Sequence, residues 1–225
     1  GKGPTLENHE RLFSYRAGLV YKPTERGTVY LSHSNSQTPS KASVNGACTA
    51  LTCNVDPESA SNIELGTKWQ LFGEHLALTA AVFRNTRENY KVADFDPANP
   101  LLGEQTLDGR ARVDGLTLGV AGQVTRAWSV FANATFLDSE VLRSVSDFCL
   151  ANPGQNGCTN TPANPDPEAG LPILQTPERS ASLWTTYRVA ADWVVGCSSA
   201  CSARCNCRNG RRAPRRSATS AGGWW

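Results

Sequence analysis

The chain contains no methionine and only three histidines, His9, His33 and His75, which lie far apart. With so few imidazoles, no histidine-based metal centre is expected. No serine or cysteine sits in a nucleophile motif, and no glycine loop is built to cradle phosphate. The sequence therefore predicts no enzyme and no catalytic residue. No run approaches eighteen apolar residues, so no helix is long and apolar enough to cross a bilayer. Membrane strands are shorter and alternating, and remain open. No basic segment leading into an apolar core opens the chain, so no secretory signal is read there. With methionine also absent, the N-terminus reads as cut from something longer.

Acidic residues are missing from one region only. From Cys197 to Trp225 there are six arginines and no Lys, Asp or Glu. The preceding 196 residues hold 16 Lys+Arg against 20 Asp+Glu. The eight cysteines divide evenly, with Cys197, Cys201, Cys205 and Cys207 in this tail. Two units are expected: a body over 1–196 and a basic Cys/Arg-rich tail over 197–225, disordered and non-homologous.

Helical periodicity is scarce and period-two alternation abundant. Ile63, Leu65, Trp69 and Leu71 oppose Asn62, Glu64, Gly66, Lys68 and Gln70. Trp128, Val130, Ala132, Ala134 and Phe136 oppose Ser129, Asn133 and Thr135. Similar patterns run from Arg11 to Tyr21, over Thr28–Ser36, Leu76–Val92, Leu116–Thr125 and Ser180–Val189, and begin again at Trp193. Alternation of this kind marks strands with one apolar face.

Connections alternate short and long: tight turns near 22–27, 72–75, 125–127 and 190–192, long loops near 38–60, 93–104 and 141–177. If neighbouring strands are antiparallel, all the turns lie at one end and all the loops at the other. Outer-membrane barrels are arranged this way. The predicted fold is all-β: an antiparallel up-and-down meander of about seven or eight strands forming part of a transmembrane β-barrel. A soluble extracellular or periplasmic β-sandwich that binds carbohydrate is the alternative; it predicts a monomer that stays in solution without detergent.

Two local cysteine pairs, Cys48/Cys53 and Cys149/Cys158, fall inside long loops and read as disulfides of an oxidising compartment. A four-cysteine zinc site joining the loops is the rival. Asp94/Asp96 and Asp166/Glu168 sit in proline-rich loops, as turn formers or a weak calcium site.

The chain resembles the C-terminal barrel part of TonB-dependent outer-membrane siderophore receptors. FSYRAGLVYKPTERGTVYLSHSNSQTPS, DPESASNIELGTKWQLFGEHLALTAAVFRNTRENY, GRARVDGLTLGVAGQVTRAWSVFANATFLDSEV and TPERSASLWTTYRV match that family's strand patterns in order, from Arg11 to Gly196. The resemblance makes Glu64, Gly66, Lys68, Arg112 and Gly115 structural hallmark positions with lumen-side contacts. It implies a Gram-negative outer-membrane location and uptake of ferric siderophores, with a lean towards catecholates. It also implies coupling to the TonB–ExbB–ExbD complex through a plug domain and TonB box that these residues do not include. No covalent cofactor, resident metal or nucleic acid is implied. Receptors of this kind close barrels of about 22 strands, so the chain alone is expected not to transport. Arg84, Arg87, Tyr90 and Phe95 are candidates for a siderophore-contacting rim, with ordinary rim and girdle roles as the alternative.

The tail breaks the pattern. Alternation stops at Gly196, and the residues that follow have G/C-rich codons, as a frameshifted end would. Cys197-x₃-Cys201-x₃-Cys205-x-Cys207 matches no standard zinc spacing, although a zinc- or nucleic-acid-binding tail remains a further reading. That reading predicts stoichiometric zinc and salt-sensitive nucleic-acid affinity.

Overall fold

The computed structural model describes residues 11–39, 56–97, 105–191 and 193–205. They form one eight-stranded sheet in sequence order, every neighbouring pair antiparallel. The strands are β1 (Tyr15–Thr24), β2 (Gly27–Thr38), β3 (Glu58–Leu71), β4 (Leu76–Ala93), β5 (Gln105–Gln123), β6 (Trp128–Arg143), β7 (Pro177–Ala190) and β8 (Trp193–Cys205). One short helix, α1 (Asp147–Ala151), interrupts the connection between β6 and β7. The meander expected from the alternation is present, and β1 and β8 are its edges.

The register assigns every side chain to a face. Leu19, Leu31, Leu65, Val82, Leu116 and Phe136 are successive cross-strand partners from β1 to β6. This apolar row is not covered: Leu19 is 71% exposed, Val82 50% and Phe136 41%. Among the described residues the buried apolar side chains are Leu76, Val92, Leu107, Cys149 and Cys158, all near strand ends or in loops. A sandwich would cover the row with a second sheet, whereas the described residues make one sheet. An uncovered apolar face of this extent needs lipid or another apolar partner.

Tyr21, Trp69, Trp128, Tyr187 and Trp193 lie on this apolar face next to the short turns, all exposed. Such a line of aromatics marks a membrane interface, where an amphipathic ring lies between tail and headgroup. Trp128 Nε1 donates to Thr185 Oγ1 at 2.7 Å, which fixes one ring of the line. Towards the long loops the same face becomes charged. Arg84 donates to Asp114 at 2.7 and 3.0 Å, and Arg112 reaches Asp114 at 3.5 Å and Glu140 at 2.5 Å. The apolar band ends at this ladder of ion pairs, and the long loops lie beyond it.

The opposite face carries Ser32, Ser34, Asn62, Glu64, Lys68, Thr79, Thr117, Asn133, Thr135, Ser180 and Ser182. It also holds rings that lie over glycines directly across the ladder. A Cβ at Gly66 would fall 2.3 Å from Tyr30 Cζ, and one at Gly115 would fall 2.2 Å from Phe83 Cζ. Tyr30 pairs with Gly66 and Phe83 with Gly115. An aromatic folded over a strand glycine restores packing that glycine lacks. Tyr30 also donates from its hydroxyl to Glu64 Oε1 at 2.6 Å, along the same strand as Gly66.

Two boundaries differ from expectation. β5 begins at Gln105 because it still pairs with β4 there, opposite Ala93, and β6 runs to Arg143 opposite Arg110 of β5, in both cases beyond the end of apolar alternation. β8 likewise continues past Gly196, pairing with β7 as far as Cys205 opposite Pro177. Its apolar-face positions there include Cys197, Ser199 and Cys201, small residues without the bulk of the neighbouring row. Main-chain hydrogen bonds hold this stretch in the sheet, and they leave no trace in side-chain alternation. Residues beyond Cys205, including Cys207, lie outside the described set, as do Cys48 and Cys53.

Candidate functional site

A cavity of about 570 Å³ opens on the polar face at the long-loop end. β4 contributes Asn85, Arg87 and Tyr90, β5 contributes Ala111 and Val113, and β6 contributes Val141. The remaining wall is Pro167, Glu168 and the apolar run Leu171–Leu174 from the β6–β7 connection. A volume of this order lies within the range of small-molecule sites.

Tyr90 reaches the cavity because of a bulge. Strict alternation from Arg87 would send residue 90 to the other face. The register shifts between Glu88 and Tyr90, and Asn89 takes the left-handed conformation at φ 57°. Asn89 tolerates this better than most residues, and its Nδ2 donates to Pro57 O at 3.1 Å. The bulge therefore re-aims Tyr90 beside Arg87, a common use of bulges near functional sites. Arg87 Cζ lies 5.7 Å from the centre of the Tyr90 ring, within cation–π range. Arg87 Nε donates to Glu58 Oε1 at 2.6 Å. The Tyr90 hydroxyl donates to Arg143 O at 2.8 Å. Tyr90 lies beyond the bulge, outside the apolar band. Its burial there, followed by the nearby charges of Glu168 and Asp166, raises its pKa above the usual phenol value.

The strap from Pro167 to Leu174 is held to β6 as a stand-in strand. β7 pairs with β6 only as far as Phe136 opposite Arg179. Above that level the edge of β6 would be unpaired, and the strap satisfies it. Val141 N donates to Leu171 O at 2.9 Å, and Gly170 N donates to Val141 O at 2.8 Å. Ile173 N donates to Ser139 Oγ at 3.2 Å. Asp166 anchors the beginning of the strap by accepting from Ser144 N at 2.9 Å and Ser144 Oγ at 2.6 Å.

Behind the strap is a compact loop module. Ser146 caps α1, accepting from Cys149 N at 3.2 Å. Cys149 is bonded to Cys158, the one of the two expected pairs that lies within the described residues. Asn160 is 1% exposed, and its Nδ2 donates to Cys149 O at 2.6 Å and Pro165 O at 2.9 Å. It ties the disulfide-closed segment to the start of the strap. Asp108, outside the membrane band, accepts from Asp147 N at 2.9 Å. Burial raises its pKa above the usual carboxylate range. The charges of Asp147 and Asp94 add to this, opposed by the Asp147 N–H and by Arg143.

The structure separates the rim candidates. Arg87 and Tyr90 line the cavity together. Arg84 is on the apolar face, ion-paired to Asp114. Phe95 packs on Gly157, where a Cβ would lie 2.8 Å from its Cδ1, and so belongs to the contact between loops. The hallmark residues divide too. Glu64, Gly66, Lys68 and Gly115 share the polar face, but Arg112 lies three positions from Gly115 and faces the apolar side beside Glu140. A lumen-side contact for Arg112 conflicts with this register. Asn85, Val113, Val141, Asn160 and the strap were not singled out from the sequence. Asn85 lies two residues beyond Phe83, the partner of Glu64 across the β3–β4 hairpin, and the apolar run LPIL in a polar loop marks the strap.

Asp94 Oδ1 accepts from Asp96 N at 3.3 Å, and Asp166 Oδ1 accepts from Glu168 N at 3.3 Å. Both acidic pairs thus shape local turns. Among the described residues, no group of three His, Cys, Asp or Glu side chains is placed to hold a metal. Cys197 and Cys201 are free, exposed thiols on β8. A larger groove of about 930 Å³ lies mostly on the apolar face, lined by Leu31, Leu65, Val82 and Phe136. Its location there assigns it to the lipid side.

An open antiparallel meander with one apolar face, an interfacial aromatic line and all its long loops at one end is the wall of an outer-membrane barrel. The family model described as "TonB dependent receptor-like, beta-barrel" matches residues 2–224, and the chain belongs to that family. This match runs through the basic tail as well as the body. The chain is 34% identical over 197 residues to the probable TonB-dependent siderophore receptor PiuA of Acinetobacter baumannii, covering 85% of this chain and 24% of that protein. It is 30% identical over 191 residues to the catecholate siderophore receptor Fiu of Escherichia coli K12, covering 82% and 22%. The crystal structure of PiuA superposes with a TM-score of 0.65 at 33% identity, over 84% of this chain and 26% of that one. The closed form of Fiu gives 0.62 at 28% identity, over 83% and 24%. The chain thus spans about a quarter of the length of the relatives it matches.

Proposed function

We propose that this chain forms a sector of the wall of a Gram-negative outer-membrane receptor that takes up ferric siderophores. The observation that carries this reading is the register. It gives one lipid-suited face, one polar face, and a cavity at the loop end of the polar face. The names of the similar proteins, a siderophore receptor and a catecholate receptor, supply the ligand class. Energy would come from the TonB–ExbB–ExbD complex acting through a plug domain. The residues described here contribute wall, rim and loops, and no bond-making chemistry is assigned to them.

The open edges at β1 and β8 set a condition. Unpaired backbone groups cannot face lipid, and exposed edges recruit other strands. Further strands must therefore complete the wall, and this chain alone does not transport. Insertion of the isolated chain into liposomes as a heat-modifiable, protease-resistant monomer would contradict that condition. The functional reading is tested by radioactive iron uptake in iron-starved cells. Deleting the gene should abolish uptake of one ferric siderophore, preferentially a catecholate, and a protonophore should abolish it in wild-type cells. Unchanged uptake of ferric catecholates, hydroxamates and mixed chelates after deletion would defeat the reading.

A further inference from the structure

The connection between β6 and β7 contains four asparagines: Asn152, Asn156, Asn160 and Asn164. Three are protected from reaction with their own backbone. Asn152 and Asn164 precede Pro153 and Pro165, which have no N–H to offer. Asn160 is 1% exposed, and its Nδ2 is held by the Cys149 and Pro165 carbonyls. Asn156 has none of this protection. It is exposed, and Gly157 follows it. Among the described residues, neither its side chain nor the Gly157 N–H has a hydrogen-bond partner. The pair forms a turn inside the segment closed by Cys149–Cys158. Cys158 N donates to Gln155 O across it at 2.8 Å, and φ is 53° at Asn156 and 109° at Gly157. Positive φ at both central residues is what a type I′ turn requires, and Asn-Gly is a preferred pair for it. Gly157 is needed for a second reason: a Cβ there would lie 2.8 Å from Phe95 Cδ1. The same missing Cβ leaves the Gly157 nitrogen open to a neighbouring carbonyl carbon. The left-handed Asn156 is held at a conformational cost, and a single turn hydrogen bond opposes its rotation.

We infer that Asn156–Gly157 is a self-modification site, converting to isoaspartate and thereby releasing the segment around Phe95 from the β6–β7 loop module. The Gly157 nitrogen gives up its proton and attacks Asn156 Cγ. An N–Cγ bond forms, the Cγ–Nδ2 bond breaks, and the amide nitrogen leaves with that proton as ammonia. Water then opens the cyclic imide. Addition at Cγ leaves aspartate on the original main chain. Addition at the α-carbonyl carbon leaves isoaspartate, whose main chain runs through Cβ and Cγ. The only co-reactant is water. Either product replaces a neutral amide with a carboxylate. Isoaspartate also adds one methylene to the main chain within the ring closed by Cys149–Cys158. The turn bond from Cys158 N to Gln155 O, which fits a normal main chain, is then lost. Gly157 withdraws from Phe95, and the contact between the loop after β4 and the loop before β7 opens. The strap bonds from Val141 and Gly170 lie further along the chain and stay closed. The inference is independent of the uptake reading and holds whatever the ligand is.

The test incubates outer membranes from cells producing the protein in heavy-oxygen water, at neutral and mildly alkaline pH. The protein is then digested in ordinary water and sequenced by mass spectrometry, so that only conversion in the folded state carries the label. Labelled acid should appear at residue 156 at least tenfold faster than at 152, 160 or 164. It should form faster at the higher pH, because the nucleophile is the deprotonated Gly157 nitrogen. Isoaspartate, recognised by its main-chain fragmentation, should be the larger product. Hydrogen exchange at residues 94–96 should quicken severalfold in the converted protein, with strand amides unchanged. Asn156→Gln, whose longer side chain forms the ring far more slowly, should lose both the label and the quickening on incubation. The wild-type map stands without that variant. Labelling at 156 no faster than at 160 overturns the inference, since the turn then protects the pair. Conversion that carries no heavy oxygen overturns it too, as a product of handling. Full conversion with unchanged exchange at 94–96 overturns the release of Phe95.

Discussion

Replacing Gly115 with alanine adds a single methyl group, which would lie 2.2 Å from Phe83 Cζ, 2.5 Å from Cε1 and 2.9 Å from Cε2. Carbon atoms settle at about 3.5–4.0 Å, so the ring must retreat by about 1.5 Å or swing to another rotamer. Gly115 has no left-handed φ, so the backbone itself accepts alanine and the cost lies in the ring. Overpacking of this kind costs about 1–3 kcal/mol, and losing the contact between ring and glycine places the effect towards the middle of that range. The denaturant midpoint of the completed barrel that contains this wall sector reports this cost. A double-mutant cycle isolates it: in a Phe83→Ala background the added methyl meets no ring, and Gly115→Ala should become nearly neutral. The expected coupling is about 1–2 kcal/mol, typical of residues in direct contact. If Gly115→Ala is neutral in the parent, or costs the same with and without Phe83, glycine is required here for a reason other than ring packing.

Three further outcomes follow from the loop module. Breaking Cys149–Cys158 with paired serines releases a segment with a sequence separation of 9. That should cost the module about 2.5 kcal/mol on the chain-entropy estimate, read as faster hydrogen exchange in α1 and the strap with the strands unchanged. Asn160→Ala removes the donor to the buried Cys149 carbonyl and to the half-buried Pro165 carbonyl and should loosen the same amides by about 1–3 kcal/mol; unchanged exchange would show that water replaces the side chain without loss. Asp108 has a raised pKa in the folded state, so its contribution favours folding below its unfolded pKa and fades as pH rises through the folded value. Asp108→Asn should therefore slow exchange of the α1 amides at neutral pH and make no difference near pH 3. Faster exchange at neutral pH would mean that the bond from Asp147 N to the ionised carboxylate outweighs its burial.

Much of the fold could be read in the sequence because a barrel wall writes its structure in period two. Ile63, Leu65 and Trp69 against Glu64, Gly66 and Lys68 gave both the strand and its faces, and the turn and loop lengths gave its orientation. What could not be read has a common cause. The loop-end halves of β5 and β6, and β8 beyond Gly196, are held by main-chain bonds to their neighbours. The strap is also held by main-chain bonds, at an edge that exists only because β7 stops pairing early. Of the four rim candidates, parity alone would have separated Arg84 from Arg87. Placing Tyr90 with Arg87 required the Asn89 bulge, a one-residue shift that side-chain chemistry does not announce. Phe95 is an aromatic in a loop, and only its contact with Gly157 shows that it serves loop packing.

The account rests on one assignment: the face bearing Leu65, Leu118 and Leu183 meets lipid, and the face bearing Glu64, Thr117 and Ser182 meets water. Single cysteines at these six positions, labelled with an environment-sensitive fluorophore in intact outer membranes, test it directly. The account predicts that a lipid-phase quencher dims positions 65, 118 and 183, and that a water-soluble quencher dims 64, 117 and 182. Equal access of the water-soluble quencher to both sets would contradict the barrel wall, and with it the placement of the cavity inside a receptor lumen.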